Sequence, residues 1–145
     1  MAKTYRVNGS TRVINWVFRT MTKLGVGASY RYILTVRGRK TGRLHSTPVD
    51  VMDLEGARWL VAGYGPASWV GNASAAGAVT LSRGGRSERF GCEAVGAPEA
   101  VPALRKYMRV VRVTRSYFDA SPDSPDEAIA AELPRHAVFR LTPLT

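Results

Sequence analysis

Apolar residues recur at helical spacing early in this chain and alternate at strand spacing after it. Between positions 11 and 24, Val13, Ile14, Val17, Phe18, Met21 and Leu24 return every three or four residues, with Arg12, Asn15, Arg19 and Lys23 mostly on the other side. This predicts an amphipathic helix opened by Ser10 or Thr11 and stopped after Leu24 by Gly25. A helix covering a core and a basic helix lying on a membrane surface both satisfy the pattern. From position 30 the period shortens. Six short runs rich in β-branched and aromatic residues, at 30–36, 45–54, 57–64, 79–83, 87–95 and 137–141, predict strands. Glu55-Gly56 and Gly84-Gly85 mark hairpin turns between them.

Helical patterns return at 66–76, where Gly71 weakens the helix, and at 98–111, where Pro98 sits in the first turn and Val101, Leu104, Met108 and Val111 form a stripe. A third helix is expected at 126–133, opened by a capping box at Ser124-Pro125-Asp126-Glu127 and stopped by Pro134. Successive antiparallel strands without helices alternating between them argue against a doubly wound sheet. A small barrel fits better, because closure removes exposed sheet edges. The expected fold is therefore α+β and mainly β: about six antiparallel strands, an N-terminal amphipathic helix and peripheral helices. With no repeat, low-complexity tract or long linker, residues 1–145 form one domain.

Composition narrows the partners more than the fold. The chain is 45% hydrophobic and 22% charged, as in a globular protein, with a net charge of +10. No Asp or Glu precedes Asp50, whereas ten Lys and Arg do, so an anionic ligand or surface is the expected counterpart. Cys92 is the only cysteine, which excludes an intrachain disulfide and a C-x-x-C metal pattern. In a strand with no basic neighbour it reads as packing. His45 and His136 lack metal-ligand spacing, so structural roles and no metal are expected. The first residues lack the apolar core of a secretory signal and no run reaches the length of a membrane span, which predicts a cytoplasmic protein.

Candidate chemistry concentrates in Arg37-Gly38-Arg39-Lys40-Thr41-Gly42-Arg43. Two glycines let backbone approach an anion, Arg and Lys supply charge, and Thr41 supplies a hydroxyl. The spacing matches neither a P-loop nor a dinucleotide fingerprint, and a solvated strand-to-strand turn remains open on the pattern alone. Downstream, Thr47-Pro48-Val49 places proline in a strand, which means an edge or a bulge. Gly63-Tyr64-Gly65 ends the third strand, and Trp69 and Asn72 share one face of the next helix.

Taken together, Leu34-Thr35-Val36-Arg37-Gly38-Arg39-Lys40-Thr41-Gly42, Thr47-Pro48-Val49, Gly63-Tyr64-Gly65 and the W-x-x-N pair Trp69 and Asn72 resemble the deazaflavin-dependent nitroreductase and quinone reductase family. The resemblance implies a split β-barrel that binds coenzyme F-420 and passes a hydride to an electron-poor acceptor: a quinone, a nitro compound or an activated alkene. By the same resemblance Arg39, Lys40, Thr41 and Gly42 hold the cofactor's phosphate and acidic tail. Pro48, Val49 and Asp50 run beside its ring, and Gly63, Tyr64 and Gly65 approach ring or phosphate. Trp69 packs on the binding loop, Asn72 caps backbone or reaches the ligand, and Tyr107, Tyr117 and Phe118 are candidates for the substrate wall. Tyr117 and Tyr64 are the candidate proton donors. An FMN-binding reductase of the same barrel type and a basic nucleic-acid-binding module are the alternatives, although no recognised nucleic-acid motif is present and no nucleic acid is expected. Peripheral contact of segment 11–24 with a membrane and a homodimer are further expectations.

Overall fold

In the computed structural model, which describes residues 28–144, the period-two pattern closes into a ring of six antiparallel strands. They are β1 (Arg31–Arg37), β2 (Leu44–Leu54), β3 (Ala57–Val61), β4 (Ala78–Arg83), β5 (Arg86–Ala94) and β6 (Val138–Pro143). Their order around the barrel is β1-β2-β3-β6-β5-β4, returning to β1. The expected mainly β barrel is the fold. Both predicted two-residue hairpins form with positive φ at each central residue, Glu55 at 54° and Gly56 at 76°, Gly84 at 58° and Gly85 at 78°. That is the turn whose twist matches the flanking strands. The predicted helix at 11–24 lies outside the described residues.

Alternation along the strands sorts side chains into two cores. Leu34, Val49, Leu60, Leu81, Phe90 and Phe139 fill the barrel. Met52, Trp59 and Val61 point the other way and pack under the second helix, α2 (Ala97–Val110), against Leu104, Tyr107 and Met108. The first helix, α1 (Ser68–Ala76), lies against the barrel with Ala73 buried in its core and the Trp69 ring 5.9 Å from Phe139. Gly77, at φ 69°, ends it.

Three expectations change. β3 stops at Val61 rather than running to position 64: the Ala62 N–H still donates to Ala137 O at 2.9 Å, but Gly63 lies directly beneath the Tyr107 ring. The third helix, α3, covers only Asp126–Ala130. Its expected capping box does not form, because Ser124 Oγ accepts from the Ser121 N–H at 2.9 Å and is withdrawn from the helix. The chain then turns toward β6. There the buried Glu132 carboxylate accepts the Asp119 and Ala120 N–H groups, each at 2.7 Å, and so fixes the segment that follows the 3-10 turn Arg112–Tyr117.

Candidate functional site

The β1–β2 connection is a closed basic loop riveted to α1. The Gly38 N–H donates to Arg43 O at 2.7 Å, the Gly42 N–H returns to Gly38 O at 2.9 Å, and Arg37 Nη1 donates to Gly42 O at 2.6 Å. Gly42, at φ 73°, is where the loop turns. Arg39 then crosses to α1. Its backbone N–H and its Nη1 both donate to Asn72 Oδ1, at 3.1 and 2.7 Å, and Nη1 also reaches Ser68 O at 3.1 Å. A Cβ on Gly71 would lie 2.7 Å from Arg39 Cζ, so the glycine that weakens the helix is the one that lets the guanidinium lie on it. Asn72 is buried and serves as the acceptor that holds the loop.

This arrangement leaves Lys40 and Thr41 facing outward. Among the described residues Lys40 has no ion-pair partner and is exposed. Thr41 Oγ1 accepts the Arg43 N–H at 3.2 Å and keeps its own proton to donate. Arg39, Lys40, Thr41, Trp69 and Asn72 line one cavity of ≈ 420 Å³, together with His45 and Thr47. Gly42 shapes the loop without lining it. A second, narrower cavity of ≈ 100 Å³ continues past Thr47, Ala67 and Trp69, which line both, to Pro48, Val49, Asp50, Gly63, Tyr64 and Gly65. The two make one groove along β2.

The edge of β2 along that groove is open. β3 pairs only with residues 50–54 of β2, whereas β1 pairs with residues 44–50. The Val51 N–H donates to Tyr30 O at 2.9 Å, so antiparallel alternation turns positions 47 and 49 toward β1 and position 48 outward. Pro48 thus stands where its missing N–H would have faced the groove. The expectation of an edge proline is met.

At the deep end a buried polar triad joins β1, β2 and α2. Asp50 Oδ1 accepts from Arg31 Nε at 2.9 Å and Oδ2 from the Tyr107 hydroxyl at 2.8 Å. Both ionic side chains are withdrawn from water, with 12% and 6% exposure. Burial, the largest single influence, would lower the Arg31 pKa, but the Asp50 charge and hydrogen bond, with smaller help from Tyr64 and Tyr30, together outweigh it, and the net shift is upward, keeping Arg31 cationic. Burial first, then the Asp50 charge, pushes the Tyr107 phenol well above its ordinary value. It remains a neutral donor. A Cβ on Gly63 would come within 1.7 Å of that hydroxyl, so Gly63 gives room to Tyr107. Tyr107 is a core residue, and Phe118, also buried, stacks on His136 with centroids 3.7 Å apart. Of the three proposed wall residues only Tyr117 stays half-exposed, its ring edge-on to Tyr64 at 5.2 Å.

A family model described as F420H(2)-dependent quinone reductase matches residues 10–123. The chain belongs to this family. Its members are F420H(2)-dependent oxidoreductases, and coenzyme F-420 is the cofactor the family name carries. No curated protein matches. Among solved structures, the chain resembles a protein of unknown function from Agrobacterium tumefaciens (15% identity, TM-score 0.56), covering 96% of this chain and 57% of that one. It also resembles a candidate 5-nitroimidazole antibiotic resistance protein from Bacteroides thetaiotaomicron (11% identity, TM-score 0.52, covering 99% and 84%). A FAD-binding protein from Mesorhizobium loti is similar at 12% identity and a TM-score of 0.50, covering 89% of each chain. These likenesses are of fold.

For this family member the groove could take a long anionic cofactor: a cation, Lys40, with no ion-pair partner among the described residues and a hydroxyl at one end, and an open strand edge above the Arg31–Asp50 pair at the other. Three polar lining residues that the sequence reading did not place at the site could have been found in it. His45 and Thr47 were legible as the period-two companions of Val49. Arg31 was legible too, since a hairpin closing at Arg37 and Leu44 sets it opposite Asp50, the chain's first carboxylate.

Proposed function

We propose that the chain binds coenzyme F-420 along the β2 groove and reduces an electron-poor organic acceptor, a quinone, nitro compound or activated alkene, at the Tyr64–Tyr117 end. The observation that carries this reading is the continuity of the groove from Lys40 and Thr41 to the open edge at Pro48. When bound, the reduced deazaflavin supplies the hydride. Lys40 and Thr41 meet phosphate and acidic tail as a mobile charge and a neutral donor. Asn72, by fixing Arg39, holds the loop in register for them. Trp69 covers the junction of the two cavities. Pro48 keeps β2 from pairing there, so its carbonyl faces the ligand. The buried Arg31–Asp50 ion pair floors the deep end below the ring as a rigid polar surface. A proton for the reduced acceptor comes from the Tyr64 or Tyr117 hydroxyl, each half-exposed and rechargeable from solvent.

Titration with F-420, FMN and mixed nucleic acid, read by fluorescence at moderate salt, tests the reading. F-420 binding and oxidation of the reduced cofactor on addition of menadione are expected. FMN or nucleic acid binding without F-420 binding would overturn it. Lys40→Ala should weaken F-420 about tenfold at low salt, less as salt is added, with Tm unchanged. Equal affinity would put the phosphate elsewhere. A homodimer and membrane contact through segment 11–24, where Thr11 and Leu24 bound the apolar stripe, belong to the same proposal. Mass in solution and co-sedimentation with anionic vesicles decide them.

A further inference from the structure

At one end of the barrel the inward-facing positions change from apolar to polar. Tyr32 stands two residues before Leu34, Arg58 two before Leu60, Arg83 two after Leu81, and Glu88 and Arg86 two and four before Phe90. The period of two that fills the barrel carries these side chains on to its mouth. That mouth is remote from the basic loop. Tyr32 lies at the start of β1 and Arg37 at its close, and the hairpin turns Glu55-Gly56 and Gly84-Gly85 lead into Arg58 and Arg86. The cavity there is ≈ 710 Å³, floored by buried Leu81 and Phe90, and among the described residues it shares none of its lining with the β2 groove.

The guanidiniums of the mouth are positioned, and their charge exceeds that of the carboxylates beside them. Arg58 lies over two rings, its Cζ 5.6 Å from the Phe90 centroid and 6.0 Å from that of Tyr32, where an aromatic face favours a cation. Among the described residues its one ion pair is long, from Nε to Asp53 Oδ1 at 3.4 Å, and the Asp53 side chain is 78% exposed. Arg83 Nη1 donates to Ala28 O and Arg31 O, at 2.8 and 2.6 Å, bonds that fix the head group. Arg86 and Glu88 are exposed, and among the described residues neither has an ion-pair partner. The lining thus holds three guanidiniums and one carboxylate, and counting Asp53 beside Arg58 still leaves an excess of one positive charge. Planar forks of donors above an apolar, aromatic floor suit a planar anion.

We propose that the barrel mouth is a second binding site, separate from the β2 groove, for an aromatic carboxylate whose ring carries a hydroxyl or amino donor. The mouth of a small barrel has room for one such ligand. The ring lies on Leu81 and Phe90 beside Tyr32. Its carboxylate meets Arg58 and Arg86, and its donor meets the Glu88 carboxylate, which can only accept. A monoanion matches the excess charge of the lining. The site stands whether or not the groove takes the cofactor.

Fluorescence anisotropy of 6-hydroxy-2-naphthoate, titrated with the full chain at moderate salt, tests the site. Saturation below about 1 mM is expected. The same ring system without the carboxylate, 2-naphthol, should bind about tenfold more weakly. Arg86→Gln removes an exposed group with no ion pair, so Tm should hold while probe affinity falls about tenfold. Arg58→Gln should lower affinity as much, and Glu88→Ala should erase the advantage of the probe over 2-naphthoate, which lacks the donor. Lys40→Ala and an excess of F-420 should leave probe binding unchanged, because their site lies elsewhere. No saturation, equal binding of 2-naphthol, affinity unmoved by both arginine variants, or displacement of the probe by F-420 would each overturn the proposal. A chain that binds the probe at the mouth and fails to bind F-420 would sink the function proposal and leave this one standing.

Discussion

Asn72 separates the structural from the electrostatic work of the groove. Its Oδ1 accepts two bonds from Arg39, one neutral and one charged. A neutral hydrogen bond contributes about 1 kcal/mol and a charged one about 1.5–3 kcal/mol. Arg39 is exposed, so its guanidinium regains water when released and the charged bond counts at the low end. Asn72→Ala should therefore cost about 2 kcal/mol, a fall in Tm of about 4–8 °C for a chain of this size. F-420 affinity should fall with it, because the loop that presents Lys40 and Thr41 loses its anchor on α1. Asn72→Asp behaves differently. The carboxylate keeps the acceptor and gains a charge opposite Arg39, so Tm should hold or rise. It also places a negative charge on the groove wall, and binding of the polyanionic cofactor should weaken about tenfold at low salt. Thermal unfolding and fluorescence titration of both variants decide the matter. If the Asn72→Asp protein is stable and binds F-420 as tightly as the parent, the groove is not an anion site. If the Asn72→Ala protein keeps the parent Tm, the anchor is refuted.

Gly63→Ala should destabilise by about 3 kcal/mol, the upper end for overpacking, because the new Cβ would meet the Tyr107 hydroxyl at 1.7 Å and Cζ at 2.4 Å. Adding Tyr107→Phe should recover part of that loss in chemical denaturation, and a neutral Gly63→Ala would show that the packing is wrong. Burial pushes the Cys92 thiol from 9.0 up to about 12, so native protein at pH 8 should resist iodoacetamide while unfolded protein is alkylated. Because the folded value is the raised one, this contribution is full below about pH 9 and is lost as pH climbs toward 12. A thiol that titrates near 9 in native protein contradicts it.

The barrel was legible because its determinants are local. Period-two runs broken by Glu55-Gly56 and Gly84-Gly85 fix strands and turn type without reference to the rest of the chain. The loop–helix contact was half legible: Trp69 and Asn72 stood out by spacing, but that Asn72 would hold Arg39, with Gly71 clearing the way, depends on how α1 lies on the barrel. Asp50 shows the limit. As a strand residue beside Pro48 it reads as facing the ligand, yet its carboxylate is held by Arg31 and by Tyr107, 57 positions away. Gly63 reads as a backbone approach to the cofactor and gives way to the same distant tyrosine. The capping box at Ser124 failed because Ser121 competes for the same hydroxyl, a three-residue alternative that helix rules do not weigh.

The groove and the fold share one cause. β2 is longer than either neighbour, so β1 pairs with its residues 44–50, β3 with its residues 50–54, and the two ladders meet at Asp50. An unpaired edge invites another strand. Pro48 blunts that invitation by removing a donor, and the loop anchored by Arg39 and α1 stands beside the rest of the edge. The Arg31–Asp50–Tyr107 triad sits where the pairing of β2 passes from β1 to β3. A ligand that lies along this edge meets backbone carbonyls that no strand uses, with Lys40 at one end and the tyrosine wall at the other. On the proposed reading, the groups that would meet the anionic end of the ligand, Lys40 and Thr41, are exposed. Those that decide whether the groove exists are buried and lie far apart in the chain.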